Sequence, residues 1–407
     1  MNKKKGRVPK LRFPGFTEDW EQRKLGDLYK RVNERNDGTL GRDKWISVAK
    51  MYFQEPDKVQ SNNLDTRTYV MKKGDIAFEG HPNNEFKFGR FVLNDIGTGI
   101  ISELFPIYRP ITEYDLDFWK YAIQLERVMA PIFAKSITSS GNSSNKLDHN
   151  HFLNQELLVP NIEEQKKIGT LLSILSKNIT LHQRKLEHLN LKKKALLQKL
   201  FPKNGERYPE LRFPGFTDAW EQRKLDDIAK IKTGGGTPKT ANPEYWSGNI
   251  PWIQSSDLVE GDIVHVNINK FINNNALKNS AAKLISRDSI ALVTRVGVGK
   301  VAVINQDFTT SQDFLSLSEF DGSDIKFLAY QLYRLMQENA KVLQGTSIKG
   351  ITKTELIEQS ISIPSSGQEQ NLISNVLSKI DSIITLHQRK LEHLQLQKKA
   401  LLQQMFV

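Results

Sequence analysis

LHQRKLEHLNLKKKALLQKLF at residues 181–201 returns as LHQRKLEHLQLQKKALLQQMF at residues 386–406, with 17 of 21 positions identical. An internal repeat of this kind is a direct guide to architecture. Around both copies, apolar residues recur alternately every three and four positions, and no Gly or Pro interrupts the first run after Leu171. A period of 3.5 residues is typical of helices that supercoil around a partner. The sequence therefore predicts two long helices, the first from Ile162 to Phe201, that pair with each other.

Each predicted helix has an apolar seam with a few polar positions. The seam residues are Leu172, Leu175, Ile179, Leu186, Leu189 and Leu196 in the first helix, and Leu377, Ile380, Ile384, Leu391, Leu394 and Leu401 in the second. His182, Lys193 and their counterparts His387 and Lys398 lie on the same stripe, where we interpret them as register-setting residues. The alternative is two ordinary amphipathic helices, each on its own domain, but helices of globular domains are usually shorter, about 8 to 20 residues.

Composition limits the functional classes. The chain has 407 residues, a net charge of +12 and no cysteine. Its length suggests two to three domains, and its basic excess favours a polyanionic partner over a merely soluble basic protein. The missing cysteines exclude disulfides and thiolate metal sites. The basic start MNKKKGRVPK has no apolar stretch after it, and no run reaches a membrane span, so we expect a soluble, cytoplasmic protein.

A second repeat precedes each variable region. LRFPGFTEDWEQRKL at residues 11–25 and LRFPGFTDAWEQRKL at 211–225 share 13 of 15 positions. A Phe-Pro-Gly-Phe turn with apolar and aromatic neighbours predicts a docking element, since it supplies neither a nucleophile nor a base. The order of docking element, variable insert and long helix occurs twice. The predicted division is a first docking segment and insert (1–157), a first helix (158–201), a second docking segment and insert (202–360) and a second helix (361–407).

The two inserts differ in sequence but share an order of elements. Both combine runs rich in β-branched and aromatic residues with turn residues, which predicts short strands. A helix is expected from Asp115 to Val128 in the first insert and from Asp324 to Met336 in the second. The predicted fold class is α+β: two α/β domains joined by two long helices, with an internal pseudo-two-fold repeat.

Both inserts offer side chains suited to nucleic acid, because Arg and Lys bind phosphates and guanine while Asn and Gln bind adenine. The first-domain candidates are Lys44, Arg67, Lys72, Lys73, His81, Asn83, Asn84, Lys87, Arg90, Ser139, Asn142, Ser143, Asn145 and Lys146. The second-domain candidates are Thr237, Lys239, Tyr245, Trp246, Trp252, Gln254, Ser255, Arg295, Lys300, Thr309, Ser311, Gln312, Ser347 and Lys349. Any single one is more often a solvated surface residue, and the aromatic ones are equally suited to a core.

No motif indicates catalysis or a metal site. Asn242-Pro243-Glu244-Tyr245 is similar to an amino-methyltransferase motif but lacks its second proline and a cofactor loop. The glycines of Gly234-Gly235-Gly236 and Gly297-Val298-Gly299 lack P-loop spacing and predict turns. His149-Asn150-His151 has no third ligand at metal-binding spacing, so we expect a loop. The chain is predicted to be non-catalytic and to bind no metal.

The repeats together resemble a specificity subunit of a type I restriction-modification system. The resemblance lies in the paired LRFPGF segments, the Pro-containing lead-ins at 160–165 and 364–370, and the twin helices. The segment GGTPKTANPEYWSGNIPW, the Gly-Val-Gly-Lys turn and Gln344-Gly345-Thr346-Ser347 also resemble target-recognition domains of that family. The first insert is less similar, although GDIAF and Ser140-Gly141-Asn142 lie at the expected places.

The resemblance implies a non-catalytic protein that binds double-stranded DNA at a bipartite site, one half per target-recognition domain. It implies that the helices pair antiparallel, set the spacer, and recruit two modification subunits and, through them, restriction/translocase subunits. No cofactor is expected on this chain: S-adenosylmethionine belongs to the modification subunit, and ATP and magnesium to the restriction subunit. Two alternatives remain: a stand-alone methyltransferase or nuclease, which would be active alone, and a coiled-coil scaffold, which would not bind DNA even with its partners.

Overall fold

The computed structural model describes residues 8–59, 67–140, 144–344 and 350–407. The chain forms two compact units. Unit 1 comprises Met1–His182 together with Lys390–Val407, and unit 2 comprises Gln183–Arg389. Each unit therefore contains one insert and segments of both long helices.

Unit 1 consists of short strands, four short helices and parts of two long ones. Its strands are β1 (Glu21–Lys24), β2 (Tyr29–Val32), β3 (Ile46–Ser47), β4 (Tyr52–Phe53), β5 (Thr68–Met71), β6 (Ile76–Glu79), β7 (Arg90–Leu93), β8 (Gly99–Ser102), β9 (Ile107–Pro110), β10 (Ile137–Ser140), β11 (Asn145–Leu147) and β12 (Glu156–Val159). Its helices are α1 (Leu25–Leu28), α2 (Leu116–Ala122), α3 (Glu126–Ser136), α4 (His149–Leu153) and the first part of α5 (Ile162–Lys199). Short 3₁₀ turns occupy Arg42–Lys44 and Pro56–Lys58.

Unit 2 repeats this plan. Its strands are β13 (Glu221–Lys224), β14 (Ala229–Gly234), β15 (Ile250–Ile253), β16 (Phe271–Ile272), β17 (Ser289–Val293), β18 (Val301–Ile304), β19 (Thr309–Thr310), β20 (Phe314–Phe320) and β21 (Ser360–Ile363). Its helices are α6 (Leu225–Ile228), α7 (Asn274–Lys278), α8 (Ile325–Gln344), α9 (Lys353–Ile357) and the first part of α10 (Gly367–Gln404). The 3₁₀ turns are Pro243–Trp246 and Ser255–Asp257.

The main sheets of the two units have the same topology. Unit 1 has the order β2-β9-β6-β7 and unit 2 the order β14-β20-β17-β18, and all neighbouring pairs are antiparallel. A two-stranded ladder closes the base of each insert, with β1 paired to β12 and β13 to β21. The central strands β6 and β17 are buried along their whole length because apolar clusters cover both faces. The inserts therefore share a fold that their sequences do not repeat.

Three aromatic side chains occupy the same relative places in both cores. In unit 1, Trp20 and Phe118 lie 6.1 Å apart and Phe406 stacks on Phe118 at 5.3 Å. In unit 2, Trp220 and Phe201 lie 6.0 Å apart, and Phe201 stacks on Phe327 at 5.4 Å. Phe406 follows α10, whereas Phe201 follows α5. Each core is thus closed by the end of the helix that begins in the other unit.

Both long helices are present, with 38 residues each. The first begins at the predicted Ile162 and ends at Lys199, two residues before the predicted Phe201. All twelve predicted seam residues are buried or half-buried. Pairing of the helices along their whole length remains a prediction.

Other elements differ from the sequence-based expectations. The helix predicted for 115–128 is broken into α2 and α3, because the amides of Gln124 and Leu125 bond to carbonyls three residues back and tighten the chain. The second predicted helix extends eight residues beyond Met336, to Gln344. In the described ranges, no helix has both the length and the apolar character needed to cross a membrane.

The docking elements hold the long helices. Arg12 forms two hydrogen bonds to the buried Glu164 at 2.7 and 2.8 Å, and Arg212 does the same to Glu369 at 2.7 and 2.9 Å. Trp20 and Trp220, the aromatic residues of the two docking elements, are buried in the cores. They are buried because the ends of α10 and α5 cover them.

Candidate nucleic-acid interface

In unit 1, five of the fourteen candidate residues lie on the hairpin between β6 and β7. The unit 1 loop (residues 80–89) presents exposed side chains: His81, Asn83, Asn84 and Lys87. The amide of Asn145 donates to the carbonyl of Gly80 at 2.9 Å, which brings β11 and the exposed Lys146 beside the loop. Asn83 shapes the loop, since its side-chain oxygen accepts from the amides of the two residues before Lys87. The result is a polar surface at one end of the sheet.

Arg90 closes this loop and is only partly accessible. Its guanidinium donates to the carbonyl of Ala49 at 2.6 Å, and its Nε lies 3.4 Å from the Oε2 of Glu79, its partner across the hairpin. The buried Glu79 also accepts from Nδ1 of His81 at 2.8 Å if that nitrogen carries the proton. The positive charge of Arg90 is therefore already paired within the protein.

Other first-domain candidates lie away from this loop. Lys72 and Lys73 precede β6, at the opposite end of the strand from residues 80–89, and Lys72 pairs with Glu34 at 3.0 Å. Arg67 precedes β5, and Lys44 ends a 3₁₀ turn 3.7 Å from Asp43. Because a four-residue strand spans about 13 Å, Lys72 and Lys73 do not join the surface formed by the unit 1 loop.

In unit 2, the corresponding surface surrounds the β17–β18 hairpin. The unit 2 loop (residues 294–300) contains the exposed Arg295 and the half-buried Lys300. A cavity of about 700 Å³ lies beside it. Arg295, Gln312, Gly350 and Lys353 contribute to its lining. This cavity brings together two residues that the sequence separates, Arg295 and Gln312.

The glycine-rich segment of unit 2 packs tightly on the sheet. A Cβ on Gly235 would collide with the carbonyl of Ser311, and one on Gly236 with that of Ala281. The carbonyl of Gly236 accepts from Nε1 of Trp252 at 3.0 Å, and Thr237 Oγ1 lies 2.5 Å from Gln312 Oε1. Gly234 is the last residue of β14, and Gly235 and Gly236 follow it without forming a turn, so the prediction of a turn is wrong here. The segment places Thr237 and Gln312 side by side.

Two basic residues near these surfaces were not predicted. Lys270 Nζ lies 5.9 Å from the ring centre of Trp246 and 5.4 Å from that of Trp252, and it donates to Gln254 Oε1 at 3.3 Å. Lys50 is exposed beside Ala49. Neither stands in a recognisable motif, so only the fold identifies them.

Several candidates are corrected by their burial. Thr309 is fully buried and its hydroxyl donates to the carbonyl of Pro251 at 2.8 Å. Ser311 and Trp252 are 4% exposed, and Trp252 belongs to an apolar cluster with Tyr245 and Trp246. As placed, Thr309, Ser311 and Trp252 support the sheet and cannot reach a ligand. Lys239 is exposed, and Gln254 and Ser255 are half-buried.

Some candidates fall outside the described positions. Asn142, Ser143, Ser347 and Lys349 lie outside the described residues, as does the side chain of Ser139.

The His149-Asn150-His151 segment is the start of α4, not a loop. Nδ1 of His149 is 2.6 Å from the hydroxyl of Tyr108, and burial, reinforced by the charge of Arg31, lowers the pKa of His149. In the part of the chain that the structure describes, no group of three or more His, Asp or Glu residues could hold a metal ion. His149 is therefore a structural residue.

The chain is similar to known proteins along its length. Residues 217–396 match the family model for the type I restriction modification DNA specificity domain. The type I restriction enzyme MjaIX specificity subunit of Methanocaldococcus jannaschii is 33% identical over 171 residues, which are 40% of this chain and 38% of that relative. The putative MjaX specificity subunit of the same organism is 23% identical over 95% of this chain and 92% of its own.

A solved structure supports the fold. The crystal structure of the type I restriction-modification S subunit from M. genitalium has a TM-score of 0.64 to this chain, at 14% identity. The match covers 98% of this chain and 99% of that one. The fold is therefore shared with that protein.

Proposed function

We propose that the chain belongs to the family of type I restriction-modification specificity subunits and that it selects the DNA sequence on which such a complex acts, without catalysing a reaction itself. The observation that carries this proposal is the duplicated sheet with a polar loop at the same end in each unit. One loop surface carries Asn83, Asn84 and Lys87, and the other carries Arg295 and Gln312. Amide and cationic side chains are the usual means of contacting base edges and phosphates.

We propose that the DNA site is bipartite, with one half for each unit. Equivalent strands support the two loops, but the loop residues differ, as expected for two domains that bind different sequences in the same way. The net charge of +12 favours phosphate contacts, which make affinity fall with added salt. In this proposal the long helices pair antiparallel and set the spacer between the halves.

We further propose that the long helices recruit two copies of the modification subunit. Large apolar side chains remain exposed at repeated positions: Leu181 and Leu386 are 48% and 66% exposed, and Leu191 and Leu396 are 68% and 67% exposed. Exposed apolar positions that recur in both helices are suited to identical partners. The restriction/translocase subunits would join through the modification subunits.

The partners would supply the chemistry. S-adenosylmethionine is assigned to the modification subunit, and ATP and magnesium to the restriction subunit, as the family resemblance implies. Methylation requires an adenine extruded from the stack, and the pocket for that base is likewise assigned to the modification subunit. The chain would act in the cytoplasm, where this complex meets DNA.

The decisive experiment is to map methylated adenines in the genome of a host without adenine methylation of its own. The host carries the modification subunit either with or without this chain. We expect a split motif to be methylated only when the chain is present. An assembled complex that leaves methylation unchanged would contradict DNA selection and support the scaffold alternative.

A further inference from the structure

The positions that close the two polar hairpins are equivalent. Arg90 lies opposite Glu79 in the β6–β7 ladder, and the carbonyl of Lys300 accepts from the amide of Val293 across the β17–β18 hairpin. By the common sheet order, β6 corresponds to β17 and β7 to β18. A basic residue therefore stands at the same corner in both units, although the surrounding sequences differ.

Both basic residues donate to the backbone of an earlier loop. Arg90 donates to the carbonyl of Ala49 at 2.6 Å, and Lys300 donates from Nζ to that of Ser255 at 2.9 Å. Each acceptor follows a Trp-Ile pair: Ala49 is four residues after Trp45, and Ser255 is three residues after Trp252. A charged donor on a neutral carbonyl forms a strong, oriented hydrogen bond. The same anchor is thus built twice from different residues.

Other contacts hold the remaining sides of each loop. At the first residue of the loop, the carbonyl of Gly80 accepts from the amide of Asn145, and that of Thr294 accepts from the amide of Ile351 at 2.8 Å. The following helix provides a further bond. The side chain of Glu126 in α3 accepts from the amide of Lys87 at 3.3 Å, and Gln337 in α8 donates to the carbonyl of Gly299 at 3.1 Å. The basic residue is one of three matched restraints.

The surroundings of Arg90 argue against a phosphate contact. Its side chain is 23% exposed, and Glu79 lies opposite. In unit 2 the residue opposite Lys300 is Val293, which carries no charge. There Lys300 is the donor to the backbone carbonyl of Ser255. In both units the cationic group donates to a backbone carbonyl. A side chain that binds a DNA phosphate should instead extend into solvent.

On the basis of the proposed function, we infer that Arg90 and Lys300 are positioning residues that fix the two DNA-recognition loops against the preceding loops and thereby set the accuracy of each half-site. This assignment replaces the sequence-based expectation that they contact DNA directly. Each residue should control only the half-site of its own unit.

The test uses the full chain assembled with its modification subunits and carrying either Arg90→Met or Lys300→Met. Duplexes containing the mapped split site, or the site with one half replaced, are titrated at several salt concentrations. For each variant we expect discrimination of one half-site to fall at least about tenfold, comparable with the cost of a wrong base pair. The other half-site and the slope of log affinity against log salt should be unchanged.

Conservative and exposed-lysine variants provide matched controls. Arg90→Lys and Lys300→Arg keep a donor at the same corner and should retain most of the discrimination. Lys146→Met and Lys239→Met each remove an exposed lysine from one of the two units. Their effects are compared with those of Arg90→Met and Lys300→Met, which remove a cation bonded to the backbone. If Arg90 or Lys300 bound a phosphate, its methionine variant would have a slope of log affinity against log salt that is shallower by about one, with half-site discrimination unchanged. That result for Arg90→Met and Lys300→Met would overturn the inference.

A second measurement does not depend on DNA. Amide hydrogen exchange of the assembled complex should be faster in residues 80–89 for Arg90→Met and in 294–300 for Lys300→Met, with the opposite loop unchanged. Unaltered exchange in the matching loop would also overturn the positioning role. If the unsubstituted complex itself shows no preference for a split site, the proposed function fails, and that outcome is distinct from either result for the variants.

Discussion

One seam position of the repeated helices has different surroundings in its two copies. Lys193 is buried and forms an ion pair with Asp381, whose other oxygen accepts from the hydroxyl of Tyr330 at 2.6 Å. Its counterpart Lys398 lies 4.9 Å from the ring centre of Tyr121, where Ser176 takes the place of the carboxylate. Burial, together with the nearby charge of Lys120, lowers the pKa of Lys398. The two lysines hold equivalent positions in the repeat, but among the described residues only Lys193 has a carboxylate partner.

Methionine at these two positions should therefore have opposite effects. Lys193→Met leaves Asp381 buried without its cation, so the free energy of unfolding should fall by about 3–5 kcal/mol. Lys398→Met removes a charge that burial disfavours, so stability at pH 7 should be kept or increased. In the unsubstituted protein, the buried charge of Lys398 destabilises the folded state at every pH below its lowered pKa. As the pH rises from that pKa to 10.5, Lys398 loses its proton in the folded state and this penalty disappears. The stability gained by Lys398→Met should therefore decrease in alkali. Denaturant titration of both variants measures these differences.

The exposed Lys192 provides the control for both variants. Lys192→Met should change stability by less than about 0.5 kcal/mol. Equal losses for Lys193→Met and Lys398→Met would contradict the assigned asymmetry and indicate a common packing role.

At the scale of elements, the bidentate pairs between Arg12 and Glu164 and between Arg212 and Glu369 fasten each docking element to the first turn of a long helix. Glu164 and Glu369 are buried, at 0% and 1% exposed. Carboxylates also favour the first turn because the helix dipole is positive there. Each buried glutamate therefore needs its arginine partner for the contact between docking element and long helix to be stable.

Arg212→Met should lower the free energy of unfolding by roughly 3 kcal/mol because Glu369 is left buried and unpaired. Amide exchange should accelerate in β13, β21 and the start of α10, and Arg12→Met should have the matching effect in unit 1. Lys166→Met, which removes the exposed pair with Glu163, is the control and should cost less than about 1 kcal/mol. Effects of similar size for Arg212→Met and Lys166→Met would refute the local role.

The sequence predicted the elements whose pattern is local. The 3.5-residue period from Ile168 onward predicted the long helix α5, and β-branched runs predicted the short strands. The burial of Trp20 was missed because its partner Phe406 lies at the other end of the chain. Thr309 and Ser311 have polar side chains typical of surfaces, and only hydrogen bonds to the backbone and to Asp313 make their burial tolerable. The roles of Arg90 and Lys300 depend on carbonyls distant in sequence, so spacing could not indicate them.

At the scale of the whole molecule, the insert is a separable part of its unit. The ladder between β1 and β12 pairs Lys24 with Glu156, so the two ends of the first insert lie together. Replacing residues 26–157 with the insert of a related protein should therefore preserve the frame. We expect methylation mapping to show one changed half-site, with the other half and the spacer retained. A simultaneous change in both halves would mean that the units do not recognise DNA separately.

The order of corresponding segments in the two units is related by a circular permutation. Unit 2 runs continuously from Gln183 to Arg389, whereas unit 1 takes its last helical segment from residues 390–407. On a ribosome, unit 2 has all its own residues before this final segment appears. Unit 1, although made first, must wait with Trp20 and Phe118 uncovered until Phe406 has emerged. The order of synthesis and the order in which the two cores can close are therefore reversed.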